Sequence, residues 1–258
     1  MRLTNRAGLP DAVFEALKHK EYSRGDADIS VTELIDSPRV RILKKLNDDK
    51  IEREAETLLA PFLGTAFHKA IETGTKTGTA ERRLSCHVSG WKISGGMDHY
   101  HDGVITDYKT ATCYKVSLDC PNGRIEDYEN QLNVYAYILR ENGFSVTEAK
   151  IFVLFKDWNR RSFSEAVKKG KIFVPYQQGG YPEKTWAYFK VLLWGAKEAQ
   201  GYVEARVRAH QMAKALLPLC TEKEIWRGNR CKSYCDVAPF CTQFKEQSKT
   251  GIMKKEII

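Results

Sequence analysis

Apolar and polar positions follow two different periods along the chain, and the places where the period changes mark out its elements. The first 25 residues carry a helical pattern that ends in the polar, glycine-containing break KEYSRGDAD. The next run, ISVTELIDSPRVRILKKL, is again helical, with Ser30 or Thr32 placed to cap it. Pro38 interrupts its apolar pattern, which predicts two short helices or one with a kink. In LLAPFLGTAFHKAIETG the apolar residues take helical spacing after Gly64 and stop at Gly74, so His68 rides on a helix. Between residues 80 and 112 the period shortens, predicting three short strands with Gly90, Gly95, Gly96 and Gly103 as hairpin turns. Residues 126–142 return to helical spacing, and EAKIFVLF reads as a strongly apolar strand. Residues 156–185 mix basic, aromatic, glycine and proline residues without a sustained period and predict a long excursion. From Trp186 to about Leu217 the pattern reads as helical, and the tail KTGIMKKEII is expected to fray. The order helix, antiparallel strands, helix, strand predicts an α/β fold with a mixed central sheet flanked by helices.

A chain of 258 residues fills one core without requiring a second domain. The expected division is a helical segment over 1–60, a core over 61–217, a cysteine-rich segment over 218–247 and a tail over 248–258. No apolar run approaches the roughly 20 residues of a membrane helix. The charged start MRLTNRAGLPDAVFEALKHK does not read as a secretory signal, so the expectation is a cytoplasmic protein, in the host cytoplasm for a phage-encoded chain. Of the net +8, residues 1–150 contribute −2 and residues 151–258 contribute +10. A basic half suits a phosphate-bearing partner, because Lys and Arg that neutralise phosphates release counterions, although a solvated basic face has the same composition.

The densest chemistry lies in GGMDHYHDGVITDYKT. Side chains alternate along a strand, so Asp107 and Lys109 share one face while Tyr108 takes the other. A turn at His101–Gly103 folds the strand bearing Asp98 back beside them. Two carboxylates offer hard oxygens to Mg²⁺ or Mn²⁺, and Lys109 supplies a compact cation for an attacking water or for charge on a phosphate. His99, His101 and Asp102 fall in the turn and its approach and are assigned to local structure rather than to ligation. No phosphate-binding loop, serine elbow or dinucleotide fingerprint appears, so any strand unwinding calls for a separate partner.

The ordered set Gly64-x-x-x-His68, Asp98, Asp107-Tyr108-Lys109-Thr110 and Gln131-x-x-x-Tyr135 resembles the RecB-like branch of the PD-(D/E)XK nucleases, which includes phage exonucleases and CRISPR-adaptation iron–sulfur nucleases. The likeness extends from SVTELIDSPRV through KDWNRR to the C-terminal cysteines. It implies a restriction-endonuclease-like core and an exonuclease hydrolysing DNA in recombination, repair or replication. An endonuclease on the same site and a non-hydrolytic nucleic-acid-binding module are the alternatives. It further implies that His68, Asp98, Asp107 and the Tyr108 carbonyl hold the metal, with a neutral imidazole suiting Mn²⁺ well. Lys109 would be catalytic, with Gln131 and Tyr135, one turn apart on one helix face, beside it. Glu81 would match an acidic residue on the first core strand, or be a plain surface glutamate. DNA with a free end or single-stranded region is the implied substrate, and a helicase or single-strand annealing protein the implied partner.

Seven cysteines in a chain without a secretory signal read as thiols or metal ligands. Cys86, Cys113 and Cys120 are scattered, whereas Cys220, Cys231, Cys235 and Cys241 fall close together. Four thiolates close either a tetrahedral zinc site or an iron–sulfur cluster. The resemblance implies [4Fe-4S], with one departure: relatives draw one cysteine from upstream, but this chain has none before Cys86, so Cys220 would be the fourth ligand. Either group would act as a staple for the C-terminal segment. Trp158, Arg160, Arg161, Lys168, Lys169 and Lys171 form a basic, aromatic stretch that either holds a strand by stacking and phosphate contacts or is a solvated loop.

Overall fold

The computed structural model describes residues 1–18, 25–115, 126–172 and 180–249. In chain order its elements are β1 (Arg2–Thr4), α1 (Asp11–Lys18), β2 (Ile29–Ser30), α2 (Val31–Ile35), α3 (Pro38–Leu46), β3 (Glu52–Glu54), α4 (Leu59–Gly74), β4 (Thr79–Val88), β5 (Trp91–His101) and β6 (Val104–Ala111). They continue with α5 (Glu126–Glu141), β7 (Glu148–Phe155), α6 (Arg160–Lys168), β8 (Trp186–Val191), α7 (Ala196–Leu216), α8 (Asn229–Ser233) and α9 (Thr242–Lys249). The chain divides into two compact units. One gathers Met1–Ser23, Thr32–Phe62 and Glu204–Ile258, and the other Arg24–Val31 and Leu63–Val203.

The second unit is built on a mixed sheet of order β2-β5-β6-β7-β8, with β4 also paired to β5. Two hairpins start it. Ser89 and Gly90 have φ of 48° and 80°, and Asp102 and Gly103 have φ of 44° and 81°, so each two-residue turn holds both positions left-handed, as the twist of the flanking strands favours. Gly95 and Gly96 are not turns but lie inside β5. A side chain at Gly95 would place its Cβ 2.7 Å from the Tyr135 ring and 2.8 Å from Val31, so this glycine permits a close approach. Strands β6 and β7 pair in parallel over eight residues, which requires a crossover, and α5 supplies it. α5 packs across β4, β5, β6 and β7 and buries Leu132, Val134, Tyr135, Ala136, Ile138 and Leu139. On the opposite face α4 sets Phe67 against Phe152 of β7, centroids 6.5 Å apart, and Gly64 close to Thr110 of β6.

Two expectations change here. Trp186–Val191 is a strand, because Phe189 and Val191 are buried in alternation with exposed neighbours, and the helix starts only at Ala196, after Gly195. The excursion over 156–185 contains α6, which starts where the Asn159 side chain accepts the Ser162 N–H at 2.8 Å.

The first unit joins segments far apart in the chain. β1 and β3 pair in parallel, the former a strand that the helical reading of the N-terminus missed. The break around Pro38 gives two short helices, α2 and α3, with Ser37 at the start of α3. Val40, Leu43, Ile51, Val237 and Cys241 form its core. Asp36 receives both Arg230 nitrogens, at 2.6 and 2.7 Å, and Arg53 pairs with Asp236.

Candidate functional site

Strands β5 and β6 run together from the turn through His101–Val104, Tyr100–Ile105 and His99–Thr106, where the ladder ends. Beyond that point a side chain replaces the backbone: the Tyr108 N–H donates to Asp98 Oδ2 at 2.7 Å. The strands therefore part at Asp98 and Asp107, and two carboxylates stand at the fork. Lys109, two residues on and so on the face of Asp107, places Nζ 3.0 Å from Asp107 Oδ1 and 2.8 Å from Oδ2. From α4, His68 brings Nδ1 to 3.3 Å from Asp98 Oδ1.

The electrostatics divide the two carboxylates. Asp107 is 2% exposed, and burial pushes its pKa up to about 6 against the pull of the Lys109 charge. Burial also opposes the charge on Asp98, yet the His68 hydrogen bond, the Lys109 charge and the Tyr108 N–H hold its carboxyl below the usual range. The Asp98 hydrogen bond holds His68 above the ordinary imidazole value, despite partial burial. Burial disfavours the Lys109 ammonium, but Asp107 and Asp98 more than compensate and keep it charged.

One atom is left over. Asp107 Oδ2 is buried with no donor aligned on it, although the ammonium lies near. A buried acceptor without a donor is costly, and a hard cation between the carboxylates would relieve it. Among the described residues no three His, Cys, Asp or Glu side chains are already drawn together as ligands of one ion. The oxygens of Asp98 and Asp107, with the His68 imidazole beside them, fit Mg²⁺ or Mn²⁺ as a donor set. The Tyr108 contact that the structure gives is through its amide.

Gln131 and Tyr135 of α5 lie beside this centre, Gln131 Nε2 donating to the Tyr135 hydroxyl at 2.8 Å. Burial and the Asp107 charge keep the Tyr135 phenol protonated. Tyr128, which the sequence reading passed over, lies 5.5 Å from Lys109 Nζ through its ring. Its spacing of three and seven from Gln131 and Tyr135 on α5 is the signal that would have found it. His99 Nε2 lies 2.9 Å from the Thr77 carbonyl, and His101 pairs with Asp102 at 3.2 Å on the exposed hairpin. Glu81 lies on β4, and its side chain is outside the described ones.

The basic, aromatic stretch is a helix and its flanks. Trp158 Nε1 donates to the Pro182 carbonyl at 2.8 Å, and Arg161 pairs with Glu165. Lys169 and Lys171 line a pocket of about 380 Å³ with Cys113, Asp157 and Tyr181.

In the first unit, Cys220, Cys231, Cys235 and Cys241 all line one cavity, together with Arg39 and Arg230. Ser37 Oγ lies 3.2 Å from Cys220 Sγ, and Arg39 Nε donates to Cys241 Sγ at 3.2 Å. Arg39 is 3% exposed, and its remaining bonds reach the carbonyls of Leu217 and Pro218 and the Thr242 hydroxyl. Among the described residues no carboxylate pairs with it. Burial raises the Cys220, Cys231 and Cys235 thiols, Cys231 to about 11, and so disfavours their bare thiolates beside this cation. Thiolates on a metal would balance it, and the four-sulfur donor set fits a cluster or zinc.

No protein-family model matches the chain, and no curated protein sequence matches it. Among solved structures, SSO0001 aligns over 89% of this chain and 92% of its own, at 16% identity and a TM-score of 0.50, a likeness of fold. A phage-related exonuclease from Haemophilus somnus 129PT aligns over 79% of this chain and 85% of its own, at 12% identity and a TM-score of 0.30. A protein from Eubacterium rectale provisionally named an exonuclease aligns over 93% and 79%, at 16% identity and a TM-score of 0.37. These two superpose too loosely to bear on the fold or the function of this chain.

Proposed function

We propose that this chain is a divalent-metal-dependent DNA nuclease acting as an exonuclease, with its centre at the fork between β5 and β6. The observation that carries the reading is the buried Asp107 oxygen without an aligned donor, next to Asp98 and under Lys109. Asp98 stands at the same fork, so two carboxylates converge on one small volume, the hard-oxygen donor set that a divalent cation takes.

In this reading Asp98, Asp107 and His68 hold the metal, with the Tyr108 carbonyl as a further ligand. A bound Mg²⁺ or Mn²⁺ supplies an activated water and offsets charge on the scissile phosphate. Lys109, held protonated between two carboxylates, orients a water or meets the developing phosphate charge. Gln131 fixes the Tyr135 hydroxyl, and both keep the lysine end of the site packed. Exonuclease rather than endonuclease action, with a role in recombination, repair or replication, follows from the motif resemblance, as does a helicase or annealing partner. The four cysteines hold a [4Fe-4S] cluster or zinc that staples the C-terminal segment. Iron, sulfide and zinc analysis of the isolated protein separates the two.

The test is degradation of end-labelled linear and closed circular DNA with Mg²⁺, Mn²⁺ or EDTA, native protein against Lys109→Ala. Metal-dependent loss of linear DNA that falls by about a hundredfold or more in the variant supports the assignment. Sparing of circles selects exonuclease action, and cutting of circles selects endonuclease action on the same site. DNA binding without any cutting, or equal cutting by the variant, rejects the catalytic assignment and leaves a binding module.

A further inference from the structure

The sheet face that carries Tyr108 continues into a surface that cleavage does not use. Tyr108, Phe152 and Tyr188 are in register across β6, β7 and β8, with ring centroids 6.0 and 5.3 Å apart. Trp186 stacks on Phe152 at 5.9 Å, and Phe67, next to His68 on α4, stacks on it at 6.5 Å. One end of this row touches the strand of Asp107 and Lys109. The other opens to solvent on the last strand of the sheet, where Trp186 is 39% and Tyr188 49% exposed. The fold has little use for these two rings. Phe189 and Val191 already bury the opposite face of β8, and large apolar groups on an edge strand favour aggregation.

Charge on the same face is equally uneconomical for folding alone. Lys150 and Lys190 stand directly opposite each other in register, an arrangement that like charges make unfavourable. Lys150 Nζ lies 5.4 Å from the centre of the Tyr188 ring, and Lys184 Nζ 5.2 Å from that of Trp186. Among the described residues, none of Lys150, Lys184 and Lys190 has a carboxylate partner, and neither nearby acid, Glu148 or Glu183, is paired with them. Exposed aromatic rings flanked by unneutralised lysines match a polyanion that presents flat, unpaired bases. Duplex DNA hides those bases in its own stack.

Resting on the nuclease reading, we propose that the outer face of β7 and β8 is a platform for single-stranded DNA. Bases stack on Trp186 and Tyr188, and phosphates meet Lys150, Lys184 and Lys190, on the Tyr108 face of the same sheet that carries Asp107.

The experiment is fluorescence anisotropy of labelled oligo-dT and of a blunt duplex, with the full chain in EDTA so that binding is read without cleavage. Native protein is compared with Trp186→Ala/Tyr188→Ala, with Trp186→Phe/Tyr188→Phe, and with Lys150→Gln/Lys184→Gln/Lys190→Gln. Circular dichroism melting shows that each is folded. Single-strand affinity is expected to fall about tenfold or more in the alanine variant and to recover with phenylalanine, duplex binding changing little. The lysine variant should flatten the plot of log affinity against log salt by about 2. Cleavage, assayed separately with metal, keeps the two readings apart. Alanine and native proteins that bind single strands equally while both cut DNA overturn the platform and leave the nuclease. Loss of single-strand binding in a protein that never cuts supports the platform and removes the nuclease. Sedimentation showing that the alanine variant changes only self-association, with strand binding intact, makes this face a contact between copies and overturns the proposal.

Discussion

Arg39 shows how one buried side chain reports on chemistry around it. Its guanidinium has no carboxylate partner among the described residues, and besides two carbonyls and a hydroxyl it meets the Cys241 sulfur, an acceptor that a bound metal would make stronger. If the four cysteines hold the proposed metal, Arg39→Met, apolar and of similar reach, is expected to weaken its retention by about tenfold or more, as loss of a partner to a metal ligand does. Metal content after graded chelator treatment measures this, and equal retention by the variant would separate Arg39 from the cysteine centre. Asp107 makes the complementary point at the fork, where a buried anion keeps an oxygen without an aligned donor.

At the scale of elements, β5 is where the reading of glycines as turns fails. Gly90 and Gly103 do turn the chain, but Gly95 lies under Tyr135, and its missing Cβ lets α5 approach the sheet. Gly95→Ala should push the Tyr135 ring off β5 and cost about 1–3 kcal/mol, the range for overpacking a filled core. Activity should fall with it, because Tyr135 stands beside Lys109. Urea unfolding with activity measured in parallel checks both, and unchanged activity in a folded variant would remove Tyr135 from the site's support.

The same element explains what was legible in advance. Asp107 and Lys109 were readable because strand alternation is local, and Asp98 because an Asp-Gly turn predicts its hairpin. The strand β8 was not, since six alternating residues next to a long helix look like its first turns. The bond from Arg39 to Cys241 was not either, because it joins residues 202 apart and no local pattern encodes that. The cysteine spacing put four thiols in one segment without showing that they line one cavity beside a buried guanidinium.

At the scale of the whole molecule, two buried groups pull stability in opposite directions as pH changes. His210 is fully buried, its Nε2 faces the Leu34 carbonyl, and burial lowers its pKa to about 4. Between about 6.5 and 4 the unfolded chain binds a proton that the folded chain refuses, so stability is lost as pH falls, by on the order of 3 kcal/mol. Asp107, raised to about 6, has the opposite sign: between its ordinary value and 6 the folded chain binds the extra proton, and stability is lost as pH rises. In metal-free protein, Asp107→Asn should therefore show a steeper loss of stability toward pH 4 than native. His210→Gln should instead gain stability over the same interval. Melting curves from pH 4 to 7 give both slopes, and parallel curves for all three proteins would refute the assignment.

The long-range side-chain bonds that close the first unit have a consequence for how the chain is made. Asp36, Arg39 and Arg53 find their partners at Arg230, Cys241 and Asp236, between 183 and 202 residues downstream. At ribosomal speeds of about 5–20 residues per second, Arg39 waits roughly 10–40 seconds for the cysteine it faces. The residues of the fork, from His68 to Tyr135, have all emerged long before. A nascent chain thus has His68 to Tyr135 in hand while its first unit still lacks its far half, and the four clustered cysteines emerge only afterwards.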